Sequence, residues 1–321
     1  MADYSVSVVI CAYTEKRWSE ICAAVKSVRT QSTSGSEIIL VVDHNPLLYR
    51  RLSANFADVT VVENREAPGL SGARNTGVAI ARGDIVAFLD DDATAEPDWL
   101  KFIRDSYSDQ AVIGVGGLIV PRWEINPPRW FPPEFYWVVG CSYLGMSSSQ
   151  APVRNLLGAN MSFRREAFDI VDGFRTGVGR TSGKRPLGCE ETEFCIRLSQ
   201  RSPGSVLLID HRATVLHLVP RARCRFSYFM SRCFAEGLSK ALVTTTVGGG
   251  AGLSSERHYT TKTLPRGVAR GIAGLLRGDL GGLGRATAIV IGLTATTAAY
   301  IIGSVRQHLL FEFIKTRAVS D

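Results

Sequence analysis

The 321-residue sequence has seven cysteines but no CxxC pair, no glycine fingerprint after its first apolar run, and no basic leader before a hydrophobic stretch. Each absence removes a class. Scattered cysteines, odd in number, argue against a disulfide framework or a zinc site and for reduced thiols in a cytosolic setting. Without GxGxxG, a nicotinamide-dependent enzyme is disfavoured. GRTSGKR, Gly179 to Arg185, has the composition of a phosphate loop. It lacks that loop's spacing, its Ser/Thr after the lysine and a preceding strand. MADYSVSVVICAY carries no signal-peptide pattern and enters a strand almost at once, so an exported protein is not expected. No activated Ser or Cys nucleophile, internal repeat or nucleic-acid-binding module is evident.

What is present is a hydrophobic fraction of 45%, enough for a substantial core, and a formal net charge of +7, suited to an anionic partner. The length allows one large domain with an appendage, or two small domains. SVSVVIC (Ser5 to Cys11), EIILVV (Glu37 to Val42), Val59 to Val62 and Ile85 to Leu89 are predicted strands. Trp18 to Thr30 and Ser71 to Ala81 are predicted helices, the second stopped at Gly83. Near-continuously apolar strands alternating with helices predict an α/β fold, its sheet mostly parallel and covered on both faces. From Pro121, PRWEINPPRWFPPEFYW has five prolines, three tryptophans and no helical period. It reads as a loop whose rings either cover the core or form a wall for a substrate. Order resumes at Gly158 to Phe168, and Gly173 to Gly188 reads as a mobile loop. A helix is predicted from Glu190, with closing strands at Val206 to Leu208 and Thr214 to Leu218.

From Arg221 the chain turns basic and helical. Ala286 to Val305 is twenty residues without a charge, just long enough to span a hydrocarbon core of about 30 Å. The arginine-interrupted stretch before it suits an interfacial segment. Peripheral membrane contact, a helix packed on the domain or a second subunit, and a true span are the three readings, in that order.

Asp90, Asp91 and Asp92 follow directly on the apolar run Ile85 to Leu89, and Asp43 ends the second strand. Ligands of open α/β sheets sit beyond the carboxyl ends of the strands. Carboxylates crowded there repel one another unless a cation is present, and oxygen ligands suit Mg²⁺ or Mn²⁺. A metal–diphosphate site therefore competes with a solvated acidic turn, and the strand-end position favours the metal.

VSVVICAYTE, VVDHN, APGLSGARNTGVAIARGDIVAFLDDDA, GANMSFRREAF and GCEETEFCIRL occur in one order over roughly residues 5 to 220. The ordered set resembles family 2 glycosyltransferases, inverting enzymes of the GT-A fold. The resemblance implies a Rossmann-like, mostly parallel sheet flanked by helices and a catalytic domain over 1–220. Its nucleotide-sugar-binding half would be 1–118 and its acceptor-binding half 119–220, with a basic helical C-terminal extension at 221–321. It further implies that Tyr13 and Glu15 contact base and ribose, and that Asp43 accepts from the base, most simply the N3–H of uracil. Gly69 and Arg74 would approach the nucleotide. Asp90 and Asp92 would form the DxD motif, Asp92 as direct metal ligand, with Asp91 a weaker candidate in the middle position.

In GCEETEF, Glu191 stands where the family more often has aspartate and is the match for the general base; Glu190 and Glu193 are rivals. His217 is a candidate for the metal or diphosphate, or a satisfied core histidine. Arg164 and Arg165 would meet phosphate or cap a helix. Arg221, Arg223 and Arg225 would hold a diphosphate or an anionic headgroup. The implied partners are a nucleotide-diphosphate sugar, with the pattern favouring a UDP-sugar over GDP or TDP, and a sugar, lipid-linked or small-molecule acceptor. The implied cofactor is Mg²⁺ or Mn²⁺. The implied location is the cytoplasm, with peripheral contact on the inner face of the membrane. A soluble glycosyltransferase, a nucleotidyltransferase and a degenerate nucleotide-sugar-binding scaffold are the alternatives.

Overall fold

The structure is a computed structural model that describes residues 4–33, 35–147, 149–177, 188–248 and 254–318. Most of the segment expected as a mobile loop at 173–188, GRTSGKR included, lies outside those residues.

Nine strands form one mixed sheet: β1 (Val6–Ala12), β2 (Ser36–Val42), β3 (Thr60–Glu63), β4 (Ile85–Asp90), β5 (Ala93–Ala95), β6 (Val112–Trp123), β7 (Ala151–Pro152), β8 (Asn160–Arg164) and β9 (Val206–Val219). Their order is β3-β2-β1-β4-β8-β6-β9-β5, with β7 against β9. The first four strands run parallel. Strand β8 reverses direction between β4 and β6, so both domain halves expected from the sequence share one sheet.

The unbroken apolar character of the early strands follows from burial on both faces. Val6, Val8 and Ile10 point into one core, with α1 (Trp18–Arg29), α2 (Pro46–Asn55) and α4 (Trp99–Ser106). Val9, Ile39 and Phe88 point into the other, with α3 (Leu70–Ile80), α5 (Glu166–Val171) and α6 (Glu190–Arg201). Helix α2 has a clear local cause: the Asn45 side chain accepts from Leu48 N–H and Pro46 occupies the first turn.

Two sequence expectations are corrected. The segment from Pro121 is not all loop: Pro121 to Trp123 end β6 beside β9, and Pro133–Val139 forms a 3₁₀ helix. The two closing strands are one 14-residue strand, β9, with a register shift between its pairings at Asp210 and Thr214. The polar stretch Asp210 to Arg212 hides that continuity from a reading based on apolar runs.

The C-terminal extension comprises α7 (Phe226–Val247), α8 (Ser254–His258), a π-helical turn (Tyr259–Thr263), α9 (Leu264–Leu276) and α10 (Leu280–Ala318). Helix α10 packs along α7 through a glycine contact. A Cβ on Gly237 would stand 2.2 Å from Thr296 O and 2.8 Å from Tyr300 N. The aromatic segment fills the seam beneath. Trp130 lies 5.6 Å from Phe229 and Phe135 5.3 Å, ring centre to ring centre. Most of its rings therefore cover the core.

Among the described residues one helical stretch, Leu280–Leu309, is long and apolar enough to cross a membrane, and 28% of its apolar window is buried in the protein. We expect Gly237→Val to force α10 off α7 at a cost of about 1–3 kcal/mol, lowering the melting temperature by several degrees. An unchanged thermal transition would mean that α10 does not pack there.

Candidate active site

The parallel register brings the carboxyl ends of β2, β1 and β4 side by side: Ala12 lies opposite Val42, and Cys11 opposite Asp90. Tyr13 to Arg17, Asp43 and Asp90 to Asp92 therefore share one edge of the sheet, where open α/β sheets bind ligands. Antiparallel pairing of β5 with β9 places His217 opposite Ala93, one residue beyond Asp92.

His217 Nε2 lies 3.1 Å from Asp92 Oδ1. The donor atoms of Asp90, Asp92 and His217 all fall within 4.8 Å of one another. One cation with ligand distances of roughly 2.0–2.6 Å can bridge that span. Among the described residues, Asp91 Oδ2 is buried with no hydrogen-bond partner. Two carboxylates and an imidazole fit a divalent cation, and the nitrogen donor suits Mn²⁺ better than Mg²⁺.

Cations offset the crowding. Arg17, missed in the sequence reading, lies 2.5 Å from Asp91 Oδ1 and 3.2 Å from Asp92 Oδ2, with its guanidinium 5.4 Å from the Tyr13 ring centre. Its only sequence signal is a basic residue in the loop after β1. Arg223 lies 3.3 Å from Asp92 Oδ2, while Arg221 and Arg225 are exposed. Burial raises Asp91 to about 7, against the pull of Arg17 and with the push of Asp92 and Asp90. Burial acts the same way on Asp92, but His217, Arg17 and Arg223 outweigh it and hold that carboxyl below its usual range.

Around the nucleotide candidates, Asp43 is already engaged. Its Oδ2 accepts from Gly69 N–H at 2.9 Å, and its Oδ1 from Asn64 Nδ2 at 2.7 Å. It ties the end of β2 to the turn entering α3, where Gly69 has φ 129°, a backbone that excludes most side chains. Carboxylate oxygens keep further acceptor capacity. Tyr13 is exposed at the rim, and Glu15 accepts from Asn45 Nδ2 at 3.0 Å.

Arg74, expected to approach the nucleotide by its charge, lines the cavity beneath the surface. It is 2% exposed. Its Nη1 donates to Glu190 Oε1 at 3.1 Å and its Nη2 to Gly158 O at 3.2 Å, and it stands 3.8 Å from Asp90 Oδ1. One guanidinium thus joins the DxD strand to the acidic motif.

Within that motif the three glutamates separate. Glu193 is fully buried, with both oxygens accepting from Arg197 at 2.8 Å and Arg175 at 3.2 Å. These contacts assign it to holding α6, which leaves Glu190 and Glu191. Glu190 is bound to Arg74. Glu191 is half-buried at the cavity wall, where desolvation and then the charge of Glu190 raise it to about 8. Arg164 is structural as well, donating to Val112 O at 2.8 Å and Tyr107 O at 2.9 Å.

Asp90, His217, Arg74, Glu190 and Glu191 line one cavity of about 620 Å³, a size that suits a small-molecule ligand. Phe135 and Trp137 of the aromatic segment also line it.

The model of the family described as Glycosyl transferase family 2 matches residues 7–171. A glucosyl-dolichyl phosphate glucuronosyltransferase of Haloferax volcanii is 37% identical over 242 residues, 74% of this chain and 77% of that protein. A UDP-Glc:α-D-GlcNAc-diphosphoundecaprenol β-1,3-glucosyltransferase of Escherichia coli is 33% identical over 94 residues, covering 29% of this chain and 36% of its own length. Among solved structures, a mannosyltransferase of Pyrobaculum calidifontis in complex with GDP-Man and Mn²⁺ superposes with a TM-score of 0.59 at 21% identity. The match covers 95% of this chain and 87% of that one, and shows a shared GT-A fold.

Arg74→Ala leaves Glu190 buried without its cation and is expected to destabilise the protein by about 3–5 kcal/mol. Arg175→Ala, which leaves Glu193 paired with Arg197, is expected to cost at most about 1 kcal/mol. Urea unfolding compares them; equal losses would deny Arg74 its bridging role.

Proposed function

The chain belongs to glycosyl transferase family 2, and from that premise we propose that it moves a sugar from a nucleoside-diphosphate donor to an acceptor hydroxyl by one inverting displacement. The observation that carries the proposal is that Asp90, His217 and the half-buried Glu191 line one cavity, with Arg74 spanning Asp90 and the neighbouring Glu190.

In this reading Asp90, Asp92 and His217 hold Mg²⁺ or Mn²⁺. A divalent ion bound there supplies Lewis-acid neutralisation of the diphosphate. Arg17 and Arg223 add positive charge where the departing nucleoside diphosphate gathers negative charge. Tyr13, Glu15, Asp43 and Gly69 bound the nucleoside end, with Asp43 favouring a uracil N3–H and hence a UDP-sugar. Arg74 and Asp91 act behind that surface, Arg74 by aligning Glu190 and Asp90, and Asp91 through Arg17.

Glu191 takes the proton from the acceptor hydroxyl. That oxygen then attacks the anomeric carbon opposite the leaving diphosphate, so no covalent sugar–enzyme intermediate forms. A pKa near 8 suits a base that works near neutrality.

The acceptor we favour is a glycolipid or polysaccharide intermediate at the cytoplasmic face of a membrane. Two relatives are named for lipid-linked substrates, a glucosyl-dolichyl phosphate and a GlcNAc-diphosphoundecaprenol. In this chain, Ile272, Leu276, Leu280 and Leu283 are exposed together at the corner of α9 and α10. Arg266 and Arg277 flank them, also exposed. An apolar patch rimmed by arginine suits an anionic bilayer surface.

Release of nucleoside diphosphate from a panel of nucleotide sugars, with Mn²⁺ or Mg²⁺ and with chelator, tests the core reading. One donor should turn over, chelator should stop it, and Asp92→Ala should abolish it. If no nucleotide sugar bound with metal present, the reading would be lost. Glu191 works only when deprotonated, and its folded pKa is raised. Thus kcat/KM should climb through about pH 8 and level off above it. Glu191→Gln should lose that limb and fall by about 10²–10⁴-fold in kcat; a profile flat from pH 6 to 9 would move the base elsewhere. In flotation assays the chain should follow phosphatidylcholine vesicles containing phosphatidylglycerol more than those without it, with Arg266→Glu plus Arg277→Glu reducing the difference. Equal flotation would leave the patch without a membrane role.

A further inference from the structure

Behind the acidic motif the cavity has a second polar wall, built by the C-terminal extension. Arg154 Nη1 and Nη2 donate to Glu256 at 2.8 and 3.1 Å. Lys240 Nζ lies 2.5 Å from Glu256 Oε1 and 3.2 Å from Glu236 Oε1. All four residues line the cavity. This wall adjoins the proposed base. Gly188 N–H donates to Ser239 Oγ at 3.0 Å and the Cys189 thiol to Glu236 Oε1 at 3.5 Å, fastening α7 to the two residues before Glu190.

Holding four half-buried charges together stabilises a fold less than apolar side chains of like volume would. On α7 the neighbouring Ala241 and Val243 are apolar and buried. The charged set therefore calls for a ligand-side reason. Its chemistry says which. Two cations and two carboxylates cancel, so the wall does not call for an anion. It offers fixed donors beside fixed acceptors, the complement of hydroxyl groups, which both donate and accept.

Aromatic faces complete the wall. Trp137 Nε1 donates to the Tyr259 hydroxyl at 3.0 Å, Tyr259 in turn donates to Glu134 O at 2.6 Å, and Tyr143 packs edge-on to Tyr259 at 5.4 Å. All three rings line the cavity, and held rings give the C–H face of a pyranose a platform. Tyr259 opens the π-helical turn, a local geometry common at functional sites.

We infer that Arg154, Glu236, Lys240 and Glu256, with the rings of Trp137, Tyr143 and Tyr259, form the acceptor subsite and that it takes a sugar ring: the acceptor is itself a glycoside. This deepens the glycosyltransferase reading and rests on it. Beyond the subsite the cavity continues along Leu293, Thr296 and Tyr300 of α10, whose outer face exposes Ile301, Ile302 and Val305. An alkyl aglycone has an apolar path there.

The test offers the full chain its donor, Mn²⁺, and one of three acceptor probes: octyl glycosides of glucose, galactose, mannose and N-acetylglucosamine; dodecyl phosphate; or octanol. At least one octyl glycoside should speed nucleoside-diphosphate release about tenfold over hydrolysis, and the other two probes should not. Lys240→Met should raise the KM for that glycoside about tenfold more than it raises the donor KM, as expected for a lost charged hydrogen bond. Lys240→Arg should restore most of the loss. Glu236→Gln, which keeps the Lys240–Glu256 pair, gives the same readout if Lys240→Met does not fold. Acceleration by dodecyl phosphate alone, by no probe, or with parallel changes in both KM values would overturn the subsite. Loss of donor binding in the unmodified chain would instead strike the glycosyltransferase reading.

Discussion

The site depends on confining carboxylates that repel one another. Asp90 ends one strand with Asp91 and Asp92 directly after it, and Asp90, Glu190 and Glu191 line one cavity. No such arrangement holds without cations placed among them, and the chain supplies these from distant places. Arg17 comes from the loop after β1, Arg74 from α3, and His217 and Arg223 from the end of β9 and just beyond it. Each pair is partly or wholly buried, where Coulomb attraction is screened less than at the surface. The same desolvation raises Asp91 and Glu191 while Asp92 is held low. Neighbouring acids are thereby driven to different protonation behaviour, the general route by which acid–base roles are assigned in one site.

The C-terminal helices line the same cavity as the acids. The aromatic segment joins them to the sheet: Trp130, Phe131 and Phe135 gather around Phe229 of α7. Glu134 meets Arg270 of α9, while Trp137 reaches Tyr259. Small residues let backbones approach closely at the crossings, Gly237 against α10 and Gly271 against Gly282. Helix α10 thus has two dissimilar faces. Ala288, Ile289 and Ala299 enter the protein, while Val290, Ile301 and Ile302 remain exposed. Such an asymmetric helix serves the fold on one side and leaves an apolar surface on the other.

Much of this was legible in the residues. Strands β1, β2 and β4 could be read because both faces are buried and the apolar run is unbroken. The acid clusters could be read because they stand next to those runs, and α3 because its period and stop signals are local. Elements whose signals are weak or interrupted escaped. Helix α2 depends on one capping asparagine, β9 is masked by its polar bulge, and α4 is too short for its period to stand out.

By itself, the sequence determined that an α/β sheet would end in carboxylates suited to a cation, and that a second acidic group would lie downstream. Those properties reside in short windows, where strand burial and helix period leave their marks. Tertiary structure alone decided where each of the acids stands. It buried Glu193 under Arg197, left Glu191 on the cavity wall and put Arg74 between Asp90 and Glu190. It also brought His217 to Asp92 through the β5–β9 register and folded the extension around the cavity. These are contacts between residues far apart in the chain, set by sheet pairing and helix docking, and no local window carries that information.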